Sequence, residues 1–300
     1  MKDQNLKKGL LFAFLTSIIS GIAIFYAKIA VVKIDPLILT TSRNLYVGAI
    51  FLLWFLISKK LNEIKKLPKK QLIWLILIGV VGGALPFFLF FTGLQLVGAQ
   101  TANLIHKTLF IWVSALTAVL LSEKFNLIYA ISFVLIFVGN FYFAKLPLVF
   151  GRGELLILAA TILWSIETIL AKKVLKKISS ELIGLFRMGI GSFFLLLLAL
   201  TSGKGGLFLS YNSQQLSIVF IGGTILFFYV YFWYKALRYA PASLVTLVLT
   251  FSVVVGNVLS GAFAGVKILP KDIYSSLFIF IGISLLFFKQ RLSLLKTVFK

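Results

Sequence analysis

The chain has 300 residues, of which 60% are hydrophobic and only 13% are charged, with a mean hydropathy of +1.06. Soluble domains carry about a quarter charged residues, so these proportions exclude a soluble globular protein. The net charge of +22 comes from basic clusters between apolar runs rather than from one basic face, which argues against nucleic-acid binding. Because the chain has no cysteine, disulfides, thiolate metal sites and cysteine nucleophiles are also excluded.

Ten apolar segments, each long enough to cross a bilayer, follow one another along the chain. A transmembrane helix needs about 20 mostly apolar residues. The first five segments are predicted at residues 9–32, 37–58, 71–92, 98–121 and 126–144. The second five are predicted at 153–172, 181–201, 215–236, 242–263 and 273–289. The lysines before the first segment imitate a signal peptide, but no small-residue cleavage site follows, so this segment is interpreted as a retained span.

The two sets of five segments are copies of each other. Residues 9–145 can be laid over 153–289 at an offset of 144, which falls to 143 within the third segment. Because five is an odd number, the second copy must enter the membrane upside down relative to the first. Inverted repeats surround a cavity near the bilayer midplane in secondary transporters. We therefore predict an all-α integral membrane protein, whose ten transmembrane helices form two inverted five-helix repeats.

The lysines and arginines indicate how the spans are oriented. If the amino terminus is cytoplasmic, 20 of the 30 basic residues lie on the cytoplasmic side, 7 lie on the other side and 3 lie inside spans. Loops on the cytoplasmic side are enriched in basic residues. We therefore predict a multi-pass protein of the cell (cytoplasmic or inner) membrane with both termini in the cytoplasm. Residues 59–70, a lysine-rich loop, belong to the cytoplasmic side, whereas Lys145 belongs to the opposite side.

A few ionisable side chains lie inside the predicted spans, where they are costly and usually face a cavity or each other. They are Arg43, His106, Lys107, Glu167 and Arg187. Two of them break the repeat, since the counterpart of Glu167 is Ala23 and the counterpart of Lys107 is Thr250. Repeat architecture does not account for such departures, which makes these residues candidates for the specific task of the protein.

The arginines inside the spans are repeat partners of each other. Arg43 and Arg187 each lie near the start of the second span of a copy. They either hold helix ends by bonding exposed carbonyls or contact the substrate, and the sequence leaves both interpretations open. With Lys107 they place three cations against the single carboxylate of Glu167. This excess favours a substrate with a carboxylate or phosphate group, or a zwitterion such as an amino acid.

The fourth span of each copy carries a polar stripe at helical spacing. In the first copy its members are Asn103, His106, Lys107, Phe110 and Ser114. In the second copy they are Thr246, Thr250, Val253 and Asn257. Matching stripes predict two helices that line one pathway, with the polar members in contact with substrate. The alternative is that these groups bond helices to each other, as polar residues in membranes often do.

The sixth span combines an aromatic and an acidic side chain on one face. Trp164 and Glu167 are three residues apart, and Thr161 and Thr168 flank them. An aromatic plane beside a carboxylate suits a substrate that bears an amine or a ring. We therefore predict that Trp164 and Glu167 contact substrate, with plain packing in the bundle as the alternative for Trp164.

Several of these features resemble the drug/metabolite transporter superfamily, and specifically its EamA-type members with two five-helix repeats. The resemblance rests on Ala27-Lys28 and Ala171-Lys172, on Arg43 and Arg187, on the run 120–124 (LLSEK) and on Gly139 and Gly282. Two features depart from the family pattern. The fourth-span proline is replaced by Leu109 or Phe110, with a counterpart near Phe251–Ser252, and the second-half acidic position falls at Gly265–Val266. The resemblance implies movement of small metabolites, usually outward and often coupled to protons.

These observations favour a secondary transporter, most simply an exporter of amino acids or related metabolites that works by alternating access. The alternatives are a carrier or exchanger of anionic metabolites and a flippase for lipid-linked sugars. From another class, an integral-membrane enzyme or receptor scaffold would need a catalytic constellation or a long extramembrane segment, and the sequence contains neither. No cofactor or metal is predicted. The predicted partners are a small-molecule substrate and the lipid bilayer, and the oligomeric state is left open.

Glu167 is the predicted site of proton coupling, with His106 as the alternative. A buried carboxyl group prefers to be neutral, whereas one beside a cation prefers to be ionised. A cavity that is wet in only part of the transport cycle would therefore switch Glu167 between the two states. His106 is the only other candidate that titrates near neutral pH. The structural alternative is a permanent ion pair between Glu167 and Lys107 or an arginine.

Overall fold

The computed structural model describes residues 2–123, 125–143 and 151–298, and within these residues the chain is helical and contains no strand. Lys124, Lys145 and Lys300, which contribute to the predicted orientation, lie outside the described residues. Most spans follow the predicted apolar segments to within a few residues, but the first helix already begins at Lys2 and the last continues to Val298. The predicted all-α membrane architecture with inverted repeats is confirmed.

Eight helices make up the described part of the first half. They are α1 (Lys2–Lys33), α2 (Pro36–Ile57), α3 (Leu61–Lys65), α4 (Lys69–Ile78), α5 (Leu85–Leu96), α6 (Ala99–Lys107), α7 (Leu109–Leu120) and α8 (Leu127–Val138). Two π-helical turns accompany them, at Gly79–Ala84 between α4 and α5 and at Gly139–Phe143 after α8.

Six helices make up the described part of the second half. They are α9 (Arg152–Val174), α10 (Ser180–Thr201), α11 (Ser213–Tyr239), α12 (Ala242–Leu249), α13 (Ser252–Phe263) and α14 (Pro270–Val298). A short 3₁₀ turn at Gly205–Phe208 precedes α11. Asn212 and Gln215 start α11 with a reciprocal capping box.

The helices divide into nine long apolar spans and one shorter one in the part of the chain that is described. Lys69–Leu96 forms a single span through the first π-helical turn, and Ala99–Leu120 and Ala242–Phe263 each form a span from two helices. The shorter apolar helix, Leu127–Tyr142, corresponds to the predicted fifth span. Ten membrane segments in two sets of five therefore agree with the sequence prediction.

Contacts between helices are duplicated across the two halves. Lys28 donates to the carbonyl of Leu94 at 2.9 Å, and its repeat partner Lys172 donates to the carbonyl of Leu237 at 2.6 Å. Gly139 packs on the backbone of Ser275, while its partner Gly282 packs on the backbone of Ser132, the counterpart of Ser275. Corresponding residues thus make corresponding contacts, as expected for halves that are related by an approximate two-fold axis.

The fourth span of each half is broken at corresponding positions. In the first half Thr108 separates α6 from α7, and its hydroxyl bonds the carbonyl of Ile105 at 2.7 Å. In the second half α12 ends before Thr250, whose hydroxyl bonds the carbonyl of Leu247 at 2.6 Å. Threonines that bond back to the preceding turn loosen and bend a helix. Threonines thus stand at the breaks where the sequence has no proline.

Candidate functional site

A small cavity of about 60 Å³ lies among helices from both halves. Four of the sequence-predicted residues line it: Arg43, His106, Trp164 and Arg187. The rest of the lining comes from Ser20, Ala23, Ile24, Ala27, Phe87, Phe90, Phe91, Leu226 and Tyr229. The site is therefore a mainly apolar and aromatic chamber into which two guanidinium groups and an imidazole converge.

A break in the third span exposes a backbone carbonyl, which bonds two side chains of the second half at this cavity. Pro86 has no N–H, so it cannot donate to the carbonyl of Gly82 as a helix would require. The preceding chain widens into the π-helical turn, in which the Leu85 N–H bonds Val80 five residues back. The freed Gly82 oxygen instead accepts from Trp164 Nε1 at 3.0 Å and from Arg187 Nε at 3.2 Å. A helix kink therefore fixes both side chains at the site.

Glu167 lies directly behind these two side chains. Its Oε1 accepts from the Tyr234 hydroxyl at 2.6 Å, and its charge interacts with that of Arg187. The residue is 1% exposed and is not part of the cavity lining. A Cβ at Gly82 would collide with the Glu167 side chain, so the glycine is what allows the close approach. The predicted contact of Glu167 with the substrate stays a prediction, since the side chains that line the cavity do not include it.

Lys107 is as deeply buried as Glu167, but it contacts other groups. Its Nζ donates to Ser20 Oγ at 2.9 Å and lies 3.0 Å from His106 Nδ1. Of the two ion pairs expected as alternatives for Glu167, the one with Lys107 is not among the contacts of the described residues, whereas an arginine, Arg187, is a neighbour of Glu167. An ammonium group carries only donors, so a charged Lys107 makes the imidazole accept at Nδ1 and hold its proton on Nε2.

His106 connects Lys107 to the aromatic part of the cavity. Its ring lies 5.0 Å from the Trp164 ring and 5.5 Å from the Phe90 ring, both in edge-on arrangements. Trp164 in turn packs edge-on against Phe87 at 5.3 Å. The structure thus brings His106 of the first half and Trp164 of the second half, two expected site residues, into ring contact.

Arg43 faces the cavity from the first half with few polar partners. Its guanidinium lies 4.9 Å from the centre of the Phe91 ring, a cation–π distance, and its Nε has no hydrogen-bond partner. Tyr26 is its ionisable neighbour. The residue is only 4% exposed, which makes it a buried cation at the edge of the chamber.

The remaining members of the two polar stripes lie outside the cavity lining. Asn103 donates to the Ser252 carbonyl at 2.8 Å and accepts from the Ser252 hydroxyl at 3.1 Å, which joins α6 to α13. Ser114 bonds Tyr129, and Thr246 and Thr250 bond carbonyls of their own helix. Asn257 bonds Gln100 and Ser276. Their contact with substrate stays a prediction, and the contacts present are those of helix–helix bonding.

Several residues of the site were not predicted from the sequence. The freed carbonyl of Gly82, three of the four phenylalanines of α5 and the Tyr234 hydroxyl belong to this group. The sequence contained one signal, since the glycines at 79, 82 and 83 shortly before Pro86 are typical of a distorted helix. Phenylalanine is too common in this chain, with 31 copies, to mark a cavity by itself.

Two inverted halves that enclose a central chamber with buried charges define a membrane transporter of small molecules. The family comparison gives the same result. The model of the EamA-like transporter family matches residues 7–144 and 151–288, which together are most of the chain. The chain belongs to the EamA-like transporter family.

Solved structures show the same fold. Among 29 matching chains is one described as "Crystal structure of protein", with a TM-score of 0.70 and 16% sequence identity. The match covers 93% of this chain and 97% of that chain. At this identity the likeness concerns the fold alone. No curated protein matches the chain.

Proposed function

We propose that the protein is an alternating-access exporter of amino acids or closely related metabolites in the cell membrane, with both termini in the cytoplasm. The observation that supports this most is the chamber itself, in which two guanidinium groups and an imidazole meet five aromatic rings, with a carboxylate behind them. An amino acid has a carboxylate for a guanidinium group and a side chain for the aromatic rings.

The size of the chamber supports a mechanism with moving halves. Ligand pockets usually have volumes of about 300–1,000 Å³, and this cavity has about 60 Å³. A substrate of amino-acid size therefore binds only after the surrounding helices separate. Inverted repeats allow each half in turn to open the chamber to its own side of the membrane.

The proposal is tested with purified protein in liposomes. Vesicles preloaded with one unlabelled amino acid at a time are diluted into a trace of the same labelled compound, and its entry by counterflow is measured. We expect labelled amino acids with apolar or aromatic side chains to accumulate, and empty vesicles to show none. If no amino acid exchanges while another compound class does, the substrate assignment is wrong.

A second candidate substrate class is the anionic metabolites. Arg43 and Arg187 line the chamber, and Lys107 contacts two of its lining residues, Ser20 and His106, so basic groups outnumber the single carboxylate of Glu167. The same counterflow assay with dicarboxylates and sugar phosphates distinguishes the two classes. Exchange of these anions in preference to amino acids would favour the second candidate.

A further inference from the structure

The two buried arginines occupy equivalent positions but have different surroundings. Arg187 donates through Nε to the Gly82 carbonyl and lies beside the Glu167 carboxylate. Its guanidinium also lies 5.7 Å from the Tyr234 ring, whose hydroxyl bonds Glu167. Its Nη1 has no partner, but the Glu167 side chain and Arg187 Nε both lie beside Gly82, so a carboxyl group of the protein stands near this guanidinium.

The equivalent groups are missing around Arg43. By the repeat, Ala23 stands in the position of Glu167, and Phe91 stands in the position of Tyr234. Phe91 keeps the ring contact with the guanidinium, at 4.9 Å, but has no hydroxyl. The carboxylate and the phenol of the second half are therefore both replaced by apolar side chains in the first half.

No backbone carbonyl replaces the missing acceptors. The third span of the second half, α11, runs as an unbroken α-helix from Ser213 to Tyr239, whereas the first-half span is interrupted by its π-helical turn. Arg43 Nε accordingly has no partner, and the two salt bridges of the described residues lie elsewhere, between Lys204 and Asp35 and between Lys235 and Glu181. A buried cation without an anion is costly.

Ala23, Arg43 and Phe91 all line the cavity. The first-half position that is equivalent to the Glu167 carboxylate is therefore open to a ligand. We propose that Arg43 binds the carboxylate of the transported substrate, at the position that is equivalent to the Glu167 carboxyl group. This inference rests on the proposed transport of small metabolites and adds a group that recognises them. The aromatic rings opposite then contact the apolar part of the substrate.

The first experiment needs no substrate. Ala23→Glu supplies a carboxylate of the protein at this position, and we expect it to raise the Tm of the purified protein in detergent. The matched variant Ala23→Gln has nearly the same volume without the charge and should not raise Tm. In the Ala23→Glu/Arg43→Met double variant the gain should disappear. A gain that persists without Arg43, or that Gln produces as well, overturns the proposal.

The second experiment uses defined probes, namely L-phenylalanine, its amide, 3-phenylpropionate and 3-phenylpropionamide. In the wild-type protein the two carboxylates should raise Tm and the two amides should not. Arg43→Met, which keeps the volume and removes the charge, should weaken carboxylate binding about 10- to 100-fold. It also tests the proposal if Ala23→Glu does not fold. Amides that bind as well as the acids, or unchanged binding to Arg43→Met, overturn the proposal.

The probes also separate this inference from the proposed function. If 3-phenylpropionate binds through Arg43 while no amino acid is exchanged in liposomes, the carboxylate site is supported and amino acids are excluded as substrates. If phenylalanine is exchanged equally well by the wild type and by Arg43→Met, amino acids are supported as substrates and the carboxylate site at Arg43 is contradicted.

Discussion

Lys107 is a basic side chain that is buried in the middle of this membrane protein beside a hydroxyl group and an imidazole. It is 1% exposed, and its ammonium contacts the Ser20 hydroxyl and the His106 ring rather than a carboxylate. If His106 gained a second proton, Nδ1 would stop accepting, and two positive charges would lie 3.0 Å apart. The protonation of His106 is therefore coupled to the charge of Lys107.

Glu167 is the residue whose substitution tests proton coupling most directly. Glu167→Gln keeps an oxygen that accepts from Tyr234 but can no longer gain and lose a proton. We expect the variant to fold and to retain counterflow, but to lose accumulation of substrate that is driven by a pH gradient. The measurement is uptake of labelled amino acid into liposomes with and without an imposed pH gradient.

The matched control for Glu167→Gln is His106→Gln, because His106 is the other candidate and lines the cavity. If Glu167 carries the proton, His106→Gln should still respond to the gradient. A full response to the gradient in Glu167→Gln, together with its loss in His106→Gln, would move proton coupling to the histidine.

Helix packing around the site depends on two glycines that face each other. A Cβ at Gly83 would collide with the Arg187 carbonyl oxygen, and a Cβ at Gly191 would collide with the backbone of Gly83. The π-helical turn and α10 therefore pack backbone to backbone. Small residues allow this kind of approach in membranes, where van der Waals contact replaces the hydrophobic effect between helices.

Gly83→Ala tests this contact. The added methyl group must push α10 away from the third span, which should destabilise the protein by about 1–3 kcal/mol and lower its Tm in detergent. Gly189→Ala in α10 is the control, since a Cβ there meets nothing within 4 Å. Equal melting temperatures for the two variants would contradict the packing argument.

The polar stripes of the fourth spans have a direct test, since the chain has no native cysteine. Single cysteines at Ala23 and Leu226, which line the cavity, should react with small aqueous thiol reagents, and substrate should slow the reaction. Cysteines at Asn103 and Thr246 test the stripes. Protection of these two by substrate would confirm a longer pathway, and no reaction would leave them as contacts between helices.

A cysteine on another face of the fourth span serves as the control for this labelling. Val113 is fully buried and does not line the cavity, so a cysteine there should stay unreactive in the folded protein. Equal labelling at Val113 and Ala23 would contradict the assignment of a single central chamber.

The two faces of the molecule are closed by different contacts. On the face where α7 ends, the Glu123 carboxylate accepts from the backbone N–H groups of Ala242 at 2.9 Å and of Ser243 at 3.2 Å, and so caps α12. By the repeat, the opposite face has Gly265 and Val266 where this face has an acid. Among the described residues, a carboxylate therefore joins the fourth spans of the two halves on this face, and the equivalent position on the other face has no acid.

Orientation in the membrane is tested by reporter fusions. Fusions after Lys70 and after Lys177 should both report the cytoplasm, because each lies in a lysine-rich loop that follows an even number of spans from a cytoplasmic amino terminus. A fusion after Lys145 should report the opposite side and serves as the control for the reporter. Finding Lys70 and Lys177 on different sides would contradict the inverted orientation of the repeats.

The membrane spans and their inverted arrangement were predictable from hydropathy and spacing. A bilayer requires about 20 apolar residues per helix and tolerates few alternatives, so the segments at 242–263 and 181–201 coincide closely with the observed helices. The repeat offset even predicted which residues make equivalent contacts, as Lys28 and Lys172 show. Constraints of this kind act locally along the chain, which is why a single sequence is enough to predict the spans and their pairing.

The partners of the buried charges required the three-dimensional arrangement. A stripe at regular helical spacing assumes a straight helix with one face on a pathway, but the fourth span is broken at Thr108. Within α6, packing against α13 joins Asn103 to Ser252, while His106 lines the cavity. Trp164 and Arg187 both bond a carbonyl that only a proline four residues later sets free. Such contacts join segments about a hundred residues apart, and periodicity along one helix carries no information about them.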